Sequence, residues 1–113
     1  MHRAPLSELL TKLWTEETET YPDGVPFVDA VNHGTMSVEL FAPRGDDPQE
    51  PHDQDELYIV IGGSSRFRRG EELSDVRSGD VVFVPARLPH RFEEISDDFM
   101  AWVIFWGPEG GER

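Results

Sequence analysis

His52 and Glu56, four residues apart, and His90, far along the chain, are the residues whose types and spacing could do the most specific chemistry. Imidazole nitrogens and a carboxylate are the donor set of a divalent metal site. They fall in two short stretches, Pro51-His52-Asp53-Gln54-Asp55-Glu56 and Pro85-Ala86-Arg87-Leu88-Pro89-His90, each beside an apolar, strand-like run, in a chain with only four histidines. There is no cysteine, which excludes disulfides, thiolate ligands and cysteine nucleophiles, so any metal must sit on nitrogen and oxygen. Four residues of straight strand span roughly 13 Å, whereas ligand atoms on one ion lie within about 4 Å of each other, given bonds of about 2 Å. His52 and Glu56 can therefore share an ion only if the chain turns between them, and Asp53, Gln54 and Asp55 tolerate such a turn. His90 must arrive from a distant strand, with Pro89 keeping the residue before it extended.

The elements that would position these residues are short strands. Turn residues separate strand signals at Val25 to Val31, Thr35 to Ala42, Leu57 to Ile61, Arg66 to Arg68, Val81 to Val84, Arg91 to Glu94 and Phe99 to Trp106. About seven or eight strands punctuated by Gly, Pro and Asp, with no helical crossover, predict an all-β sandwich or barrel. Leu6, Leu9, Leu10, Leu13 and Trp14 recur at helical spacing and predict a short amphipathic helix over about 6–17. The barrel is expected over about 25–106, and the tail, 107–113, is expected to fray, as are the first few residues. At 113 residues the chain is one domain, 1–113. If Glu56 faces inward, Tyr58 and Val60 follow it, and Leu57, Ile59 and Ile61 take the other face. A strand apolar on both faces is covered on both, which makes a homodimer an expectation. The same parity turns Phe92 inward with His90.

Composition narrows the partners. The formal charge is −13, from 23 acidic and 10 basic residues, which repels phosphate backbones and anionic lipid and argues against nucleic acid. No segment approaches membrane-spanning length, so a soluble, cytoplasmic protein is the expectation. His33, beside Asn32 and Gly34, reads as a turn histidine, and His2 belongs to the frayed start. Arg66, Arg68 and Arg69 read as solvated strand positions answering the acidic surface. Gly62-Gly63 is a turn signal. Trp102, Phe105 and Trp106 read first as core or subunit interface, with Trp102 second as the floor of a substrate cavity.

The two stretches resemble the motifs of the cupin superfamily. The first motif usually has two histidines one residue apart, a glutamate four residues after the second, then six residues and a glycine; His52, Glu56 and Gly63 fall in register. The second usually has glycine, five residues, proline, one residue, glycine, two residues and histidine; Gly79, Pro85 and His90 keep that frame. Glu50 stands in place of the first histidine, and Arg87 in place of the second motif's inner glycine. The resemblance covers roughly Glu50 to Glu94 and implies a double-stranded β-helix (jelly-roll) barrel with a short N-terminal helix. It implies His52, Glu56 and His90 as metal ligands, with Glu50 as a fourth donor and the neutral Gln54 as a weaker one. Such a two-histidine, one-carboxylate set suits iron or manganese and also accepts nickel, zinc or cobalt. The function implied is a small metal-dependent enzyme acting on a small organic molecule by oxygenase-type, dioxygenase-like chemistry, though the fold also hosts isomerases and lyases. Tyr58 is the candidate proton donor or acceptor, and Phe92, Val60 and Trp102 are the candidate substrate contacts. The alternative is a ligand-binding or accessory cupin without turnover, favoured by the replaced histidine.

Overall fold

The computed structural model describes residues 3–113; His2 lies outside the described residues. One short helix, α1 (Leu6–Leu10), precedes eight strands: β1 (Phe27–His33), β2 (Met36–Phe41), β3 (Asp55–Gly62), β4 (Ser64–Arg69), β5 (Glu72–Arg77), β6 (Val81–Val84), β7 (His90–Glu93) and β8 (Met100–Trp106). They form a five-stranded sheet in the order β1-β2-β8-β3-β6 and a three-stranded sheet in the order β5-β4-β7. Every pairing is antiparallel. Among the described residues no helix is long and apolar enough to cross a membrane.

Parity along β3 decides what lies between the sheets. Glu56, Tyr58 and Val60 are each 1% exposed, while Leu57, Ile59 and Ile61 face outward and are only half-buried. Tyr58 and Val60 join Phe41, Phe67, Phe92, Phe99 and Val103 in the inner core. Phe92 is its hub, with ring centroids 4.7 Å from Phe67, 4.8 Å from Phe99 and 5.0 Å, edge-on, from Tyr58. Offset and edge-on aromatic pairs of this kind add about 0.5–1.5 kcal/mol each beyond their area. On the outer face α1 and the turn after it lay Leu9 and Leu13 over Leu40 and Ala42, with Ile61, Met100 and Trp102 packed around them.

Three expectations need correction. The helix ends at Leu10 rather than near residue 17. Trp14 takes φ +57° and turns its N–H out to the Val25 carbonyl at 2.9 Å, and the Val25 N–H returns to Glu16 at 2.7 Å, so the chain leaves the helix to pair with the segment before β1. The strand β5 has no counterpart among the sequence signals: Glu-Leu-Ser-Asp-Val-Arg buries only Val76, and its polarity is that of an edge strand whose other side faces water. The tail does not fray. Gly107 donates to Thr35 Oγ1 at 3.0 Å, Gly110 to the Asp53 carbonyl at 2.6 Å and Glu112 to Asp55 Oδ2 at 2.8 Å, which fastens it to the segment before β3.

The step from β3 to β4 carries the chain from one sheet to the other through Gly63 at φ +68°. A Cβ there would sit 2.7 Å from the Phe99 backbone nitrogen and would also meet Ser96 Oγ. Backbone cannot withdraw as a flexible side chain can, so both the dihedral and the space demand glycine. Gly63→Ala is expected to lower unfolding stability by about 2–4 kcal/mol, read as a shifted denaturation midpoint; a change under about 0.5 kcal/mol would show that this corner adjusts freely.

Candidate metal centre

The centre lies at the seam between the sheets. Glu56 enters from the start of β3, His90 from the first residue of β7, and His52 from the segment before β3. His90 Nε2 is 2.7 Å from Glu56 Oε1, with both side chains buried. His52 Nε2 is 4.0 Å from Glu56 Oε2. One donor atom from each of the three lies within 4.8 Å of the others, so small side-chain rotations bring all three to the spacing that bonds of about 2.0–2.2 Å require. The chain does turn between His52 and Glu56, and Arg87 fixes that turn by donating its backbone N–H to the His52 carbonyl at 2.6 Å.

Arg87, at the position of the usual glycine, has φ +67°. The left-handed conformation is what glycine would supply without strain; in arginine it costs about 1 kcal/mol or more. The bond to His52 holds it there, together with surface ion pairs from its guanidinium to Asp53 at 3.4 Å and Glu109 at 3.6 Å. Asp55, buried at the first position of β3, accepts from Ala86 N at 2.9 Å and so joins the same two segments.

Protons test whether these residues fit a metal. His90 Nδ1 faces the Leu88 carbonyl at 2.9 Å; a carbonyl only accepts, so Nδ1 carries a hydrogen and Nε2 presents its lone pair inward, the arrangement a metal-ligating histidine has. That lone pair meets Glu56 Oε1, Tyr58 Oη at 3.1 Å and Gln49 Oε1 at 3.2 Å. A lone pair facing a carboxylate oxygen at 2.7 Å needs a positive charge between them, supplied either by a proton or by a cation. With the proton, burial works against the imidazolium, but the hydrogen bond and charge of Glu56, the Leu88 carbonyl and Asp47 outweigh it and raise the His90 pKa. Glu56 Oε2 is buried without a hydrogen-bond partner, an orphaned acceptor aimed at the place where an ion would sit. The residues fit a divalent cation.

Gln49 is the site residue that sequence reasoning missed. Its Oε1 lies 3.1 Å from both His52 Nε2 and Tyr58 Oη, as well as close to His90. Its amide nitrogen donates to Asp47 Oδ2, which also accepts from Phe92 N at 2.9 Å, so the amide oxygen is aimed inward. The sequence signal was thin: an Asp and a Gln two residues apart in an irregular segment, with no periodicity to say which way they point. The structure does not bring the two proposed fourth donors to the centre. Glu50 is exposed, and Gln54 spends its amide on the carbonyls of Thr35 and Gly107, 3.0 Å each.

Beside the three donors opens a cavity of about 90 Å³, reached by His52, Gln49 and Tyr58 and walled by Phe41, Phe105, Glu39 and their neighbours. Phe105 packs edge-on to His52, centroids 4.9 Å apart. The expected substrate contacts lie elsewhere: Phe92 and Val60 are enclosed in the inner core, and Trp102 packs on the outer face near α1. The reason is register, since Trp102 is the partner of Ile59 and Leu40, which point outward. Tyr58 is lifted well above its ordinary pKa by burial, then by the charges of Glu56 and Asp47, so at neutral pH its hydroxyl donates and does not act as a base.

These features identify a double-stranded β-helix with a two-histidine, one-carboxylate cluster at its seam. A family model described as a cupin domain matches residues 37–106, and the chain belongs to the cupin family. An uncharacterized protein of Streptomyces coelicolor is 37% identical over 95 residues, covering 82% of this chain and 90% of that protein. Among solved structures, a cupin family protein with a double-stranded β-helix fold from Methanocaldococcus jannaschii superposes with a TM-score of 0.63 at 19% identity, covering 74% of this chain and 80% of that one. The DMSP lyase DddQ from Ruegeria pomeroyi superposes with a TM-score of 0.62 at 22% identity, covering 72% of this chain and 46% of that one. At these identities the structural likenesses establish the fold; enzymes are among the proteins that share it.

Glu39, on the cavity wall, gives a pH test. Burial, then repulsion by Asp29 and Glu56, raises its pKa from 4.5 to about 7. The native state therefore holds this proton to higher pH than the unfolded chain does, and stability is lost as pH rises from about 4.5 to 7. In metal-free protein, Glu39→Gln is expected to be more stable than wild type at pH 8, by about 1–2 kcal/mol given the partial exposure of the carboxyl, and nearly equal at pH 4.5. Denaturant titrations at the two pH values decide; a difference independent of pH would show that Glu39 titrates alike in the folded and the unfolded chain.

Proposed function

We propose that this cupin is a small metal-dependent enzyme in which His52, Glu56 and His90 hold a divalent cation, Gln49 supplies a neutral fourth donor, and a small organic molecule enters the adjoining cavity. The observation that carries the reading is the buried His90 Nε2–Glu56 Oε1 contact with Nδ1 already committed to Leu88, next to the orphaned Glu56 Oε2. When bound, a divalent ion supplies a Lewis acid to an oxygen-bearing substrate, and iron or manganese, which this donor set suits, extends that to oxygenase-type chemistry. Around it the chain's own groups have distinct tasks. Leu88 fixes the tautomer of His90; Asp47 aims the amide of Gln49; Tyr58 keeps its proton and donates a hydrogen bond at the cavity floor; Phe105 packs edge-on against His52.

A second reading, a ligand-binding cupin without turnover, is favoured by Gln49, whose amide oxygen accepts from Tyr58 and lies within hydrogen-bond distance of His52 without an ion. Metal content separates the two. Protein purified without added metal or an affinity tag is expected to carry close to one equivalent of a divalent metal, and His52→Ala and His90→Ala are each expected to lose at least about nine-tenths of it, on the scale by which losing a ligand exceeds losing a supporting contact. Wild type that takes up no iron, manganese, nickel or zinc when these are offered would sink the metal reading and leave the binding one.

The reading extends to a homodimer. The outer face of the five-stranded sheet is apolar beyond the reach of α1: Val81 is 61% and Phe83 45% exposed, and Leu57, Ile59, Ile104 and Trp106 beside them are only half-buried. A second copy laid on this face would cover it. Phe83→Glu is expected to convert a sedimenting dimer to monomer while metal content stays at the wild-type level; a wild type that is monomeric at all concentrations contradicts the assembly.

A further inference from the structure

The cavity has features that metal ligation does not use. Its volume of about 90 Å³ is that of about three waters in the liquid, so a small head group would be part enclosed and part open to solvent at the mouth. Five phenyl or phenol rings line it, the buried Phe41 and Tyr58, the half-buried Phe105 and Tyr21, and Phe27. Tyr21 and Phe27 meet edge to face with centroids 5.9 Å apart. Phe27 is 41% exposed, an apolar ring left open where the cavity meets solvent.

Apart from the metal-ligand candidate His52, the titratable side chains lining this cavity among the described residues are acidic Glu39 and the phenols of Tyr21 and Tyr58. No lysine or arginine lines it, and its one carboxyl belongs to Glu39. Glu39 faces Asp29 directly across β1; its partner on β8 is the neutral Val103; and Glu56 repels it from β3, beyond β8. Like charges opposed across a strand pair are unfavourable, and burial compounds that, so this carboxyl is held near neutrality without a counter-ion. Aromatic faces carry negative charge density and attract cations. An anionic head group would meet aromatic rings and a carboxyl, with no lysine or arginine among the described lining residues to balance it.

We propose that this cavity binds a small organic cation of the alkylammonium class, with Tyr21, Phe27, Phe41 and Phe105 around its methyl or methylene groups and the Glu39 carboxylate as its counter-ion. The inference rests on the enzyme reading only in making that cation the head of the substrate; the residues it invokes are not ligands of the metal centre. An arriving cation takes the place of the proton on Glu39 and offsets the repulsion by Asp29, which stands opposite it on β1, so two like charges across a strand pair favour a positive guest.

Tetramethylammonium, whose charge does not change with pH, is the probe, and tert-butanol is an uncharged analogue of nearly the same shape. Titration of the full chain at pH 8, with and without added zinc, followed by NMR, is expected to give saturable shifts at Tyr21, Phe27, Phe41 and Phe105. Glu39→Gln is expected to weaken binding by at least about fivefold, and Phe27→Leu, a change at the open edge that spares the core, by about threefold. Tert-butanol is expected to bind at least about tenfold more weakly than tetramethylammonium, because it leaves the carboxylate unpaired. No saturable shift in wild type, equal binding of the two probes, or affinity unchanged in both variants would each overturn the proposal. Metal content is measured separately: full metal without probe binding removes this inference alone, and probe binding to a chain that takes up no metal removes the enzyme reading alone.

Discussion

The contact between His90 and Glu56 is the constraint around which the rest of the molecule is arranged. It joins a residue of β7, in the three-stranded sheet, to one of β3, in the five-stranded sheet, so the seam of the barrel is polar at its most buried point. Two charged groups taken out of water cost several kcal/mol each, and attraction alone rarely recovers that. The neighbours therefore answer every available hydrogen: Leu88 accepts from Nδ1, Gln49 accepts from Tyr58, and Asp47 accepts from Gln49 and from the Phe92 backbone. Only Glu56 Oε2 and Asp47 Oδ1 remain unanswered within this group. A network so nearly complete, with its open valence on the inward oxygen of Glu56, is organised to surround something positive.

Holding that network needs the irregular segments more than the strands. His52 and Gln49 belong to a stretch without secondary structure, and such a stretch holds a geometry only if its backbone groups are bonded elsewhere. Here the bonds come from the second motif and the tail: Arg87 N to the His52 carbonyl, Gly110 N to the Asp53 carbonyl, and Ala86 N and Glu112 N to the two oxygens of Asp55. The strain of a left-handed arginine is tolerated because relaxing Arg87 would break the first of these bonds. An arginine at a glycine position looks in the sequence like a loss of the motif; in the structure the dihedral is kept and only the residue differs.

What the sequence made legible was what period and spacing govern. Alternation along β3 put Glu56, Tyr58 and Val60 on one face, and motif spacing brought His52, Glu56 and His90 together, because strand geometry is rigid and its parity propagates from one residue to the next. Position in an irregular segment has no such rule. Gln49 and Glu50 differ by one place, and nothing local says that the amide turns inward and the carboxylate outward; the answer lies in Asp47, whose own orientation is set by Phe92, 45 residues on. β5 was silent because an edge strand needs only one buried residue, and Val76 is too little for a pattern. Trp102 misled by its type. Large aromatics suit cavity floors and outer cores alike, and only the pairing with Leu40 and Ile59 decides between them.

The acidic composition takes on a local meaning at the cavity. Across the surface, acids are offset where arginines reach them, as Arg68 reaches Glu93 at 2.6 Å and holds that carboxyl down to a pKa of about 2, with Arg91 helping. Glu39 is the opposite case: half-buried, opposed by Asp29 and without a lysine or arginine among the residues lining the cavity, it is pushed up to about 7. The same kind of side chain is thus stabilised as an anion in one sheet and held as an acid in the other. The difference is a matter of which charges the fold allows to approach. Among the described residues lining the cavity there is one carboxyl, that of Glu39, and no lysine or arginine, so uptake of a cation there and protonation of Glu39 would be one coupled equilibrium.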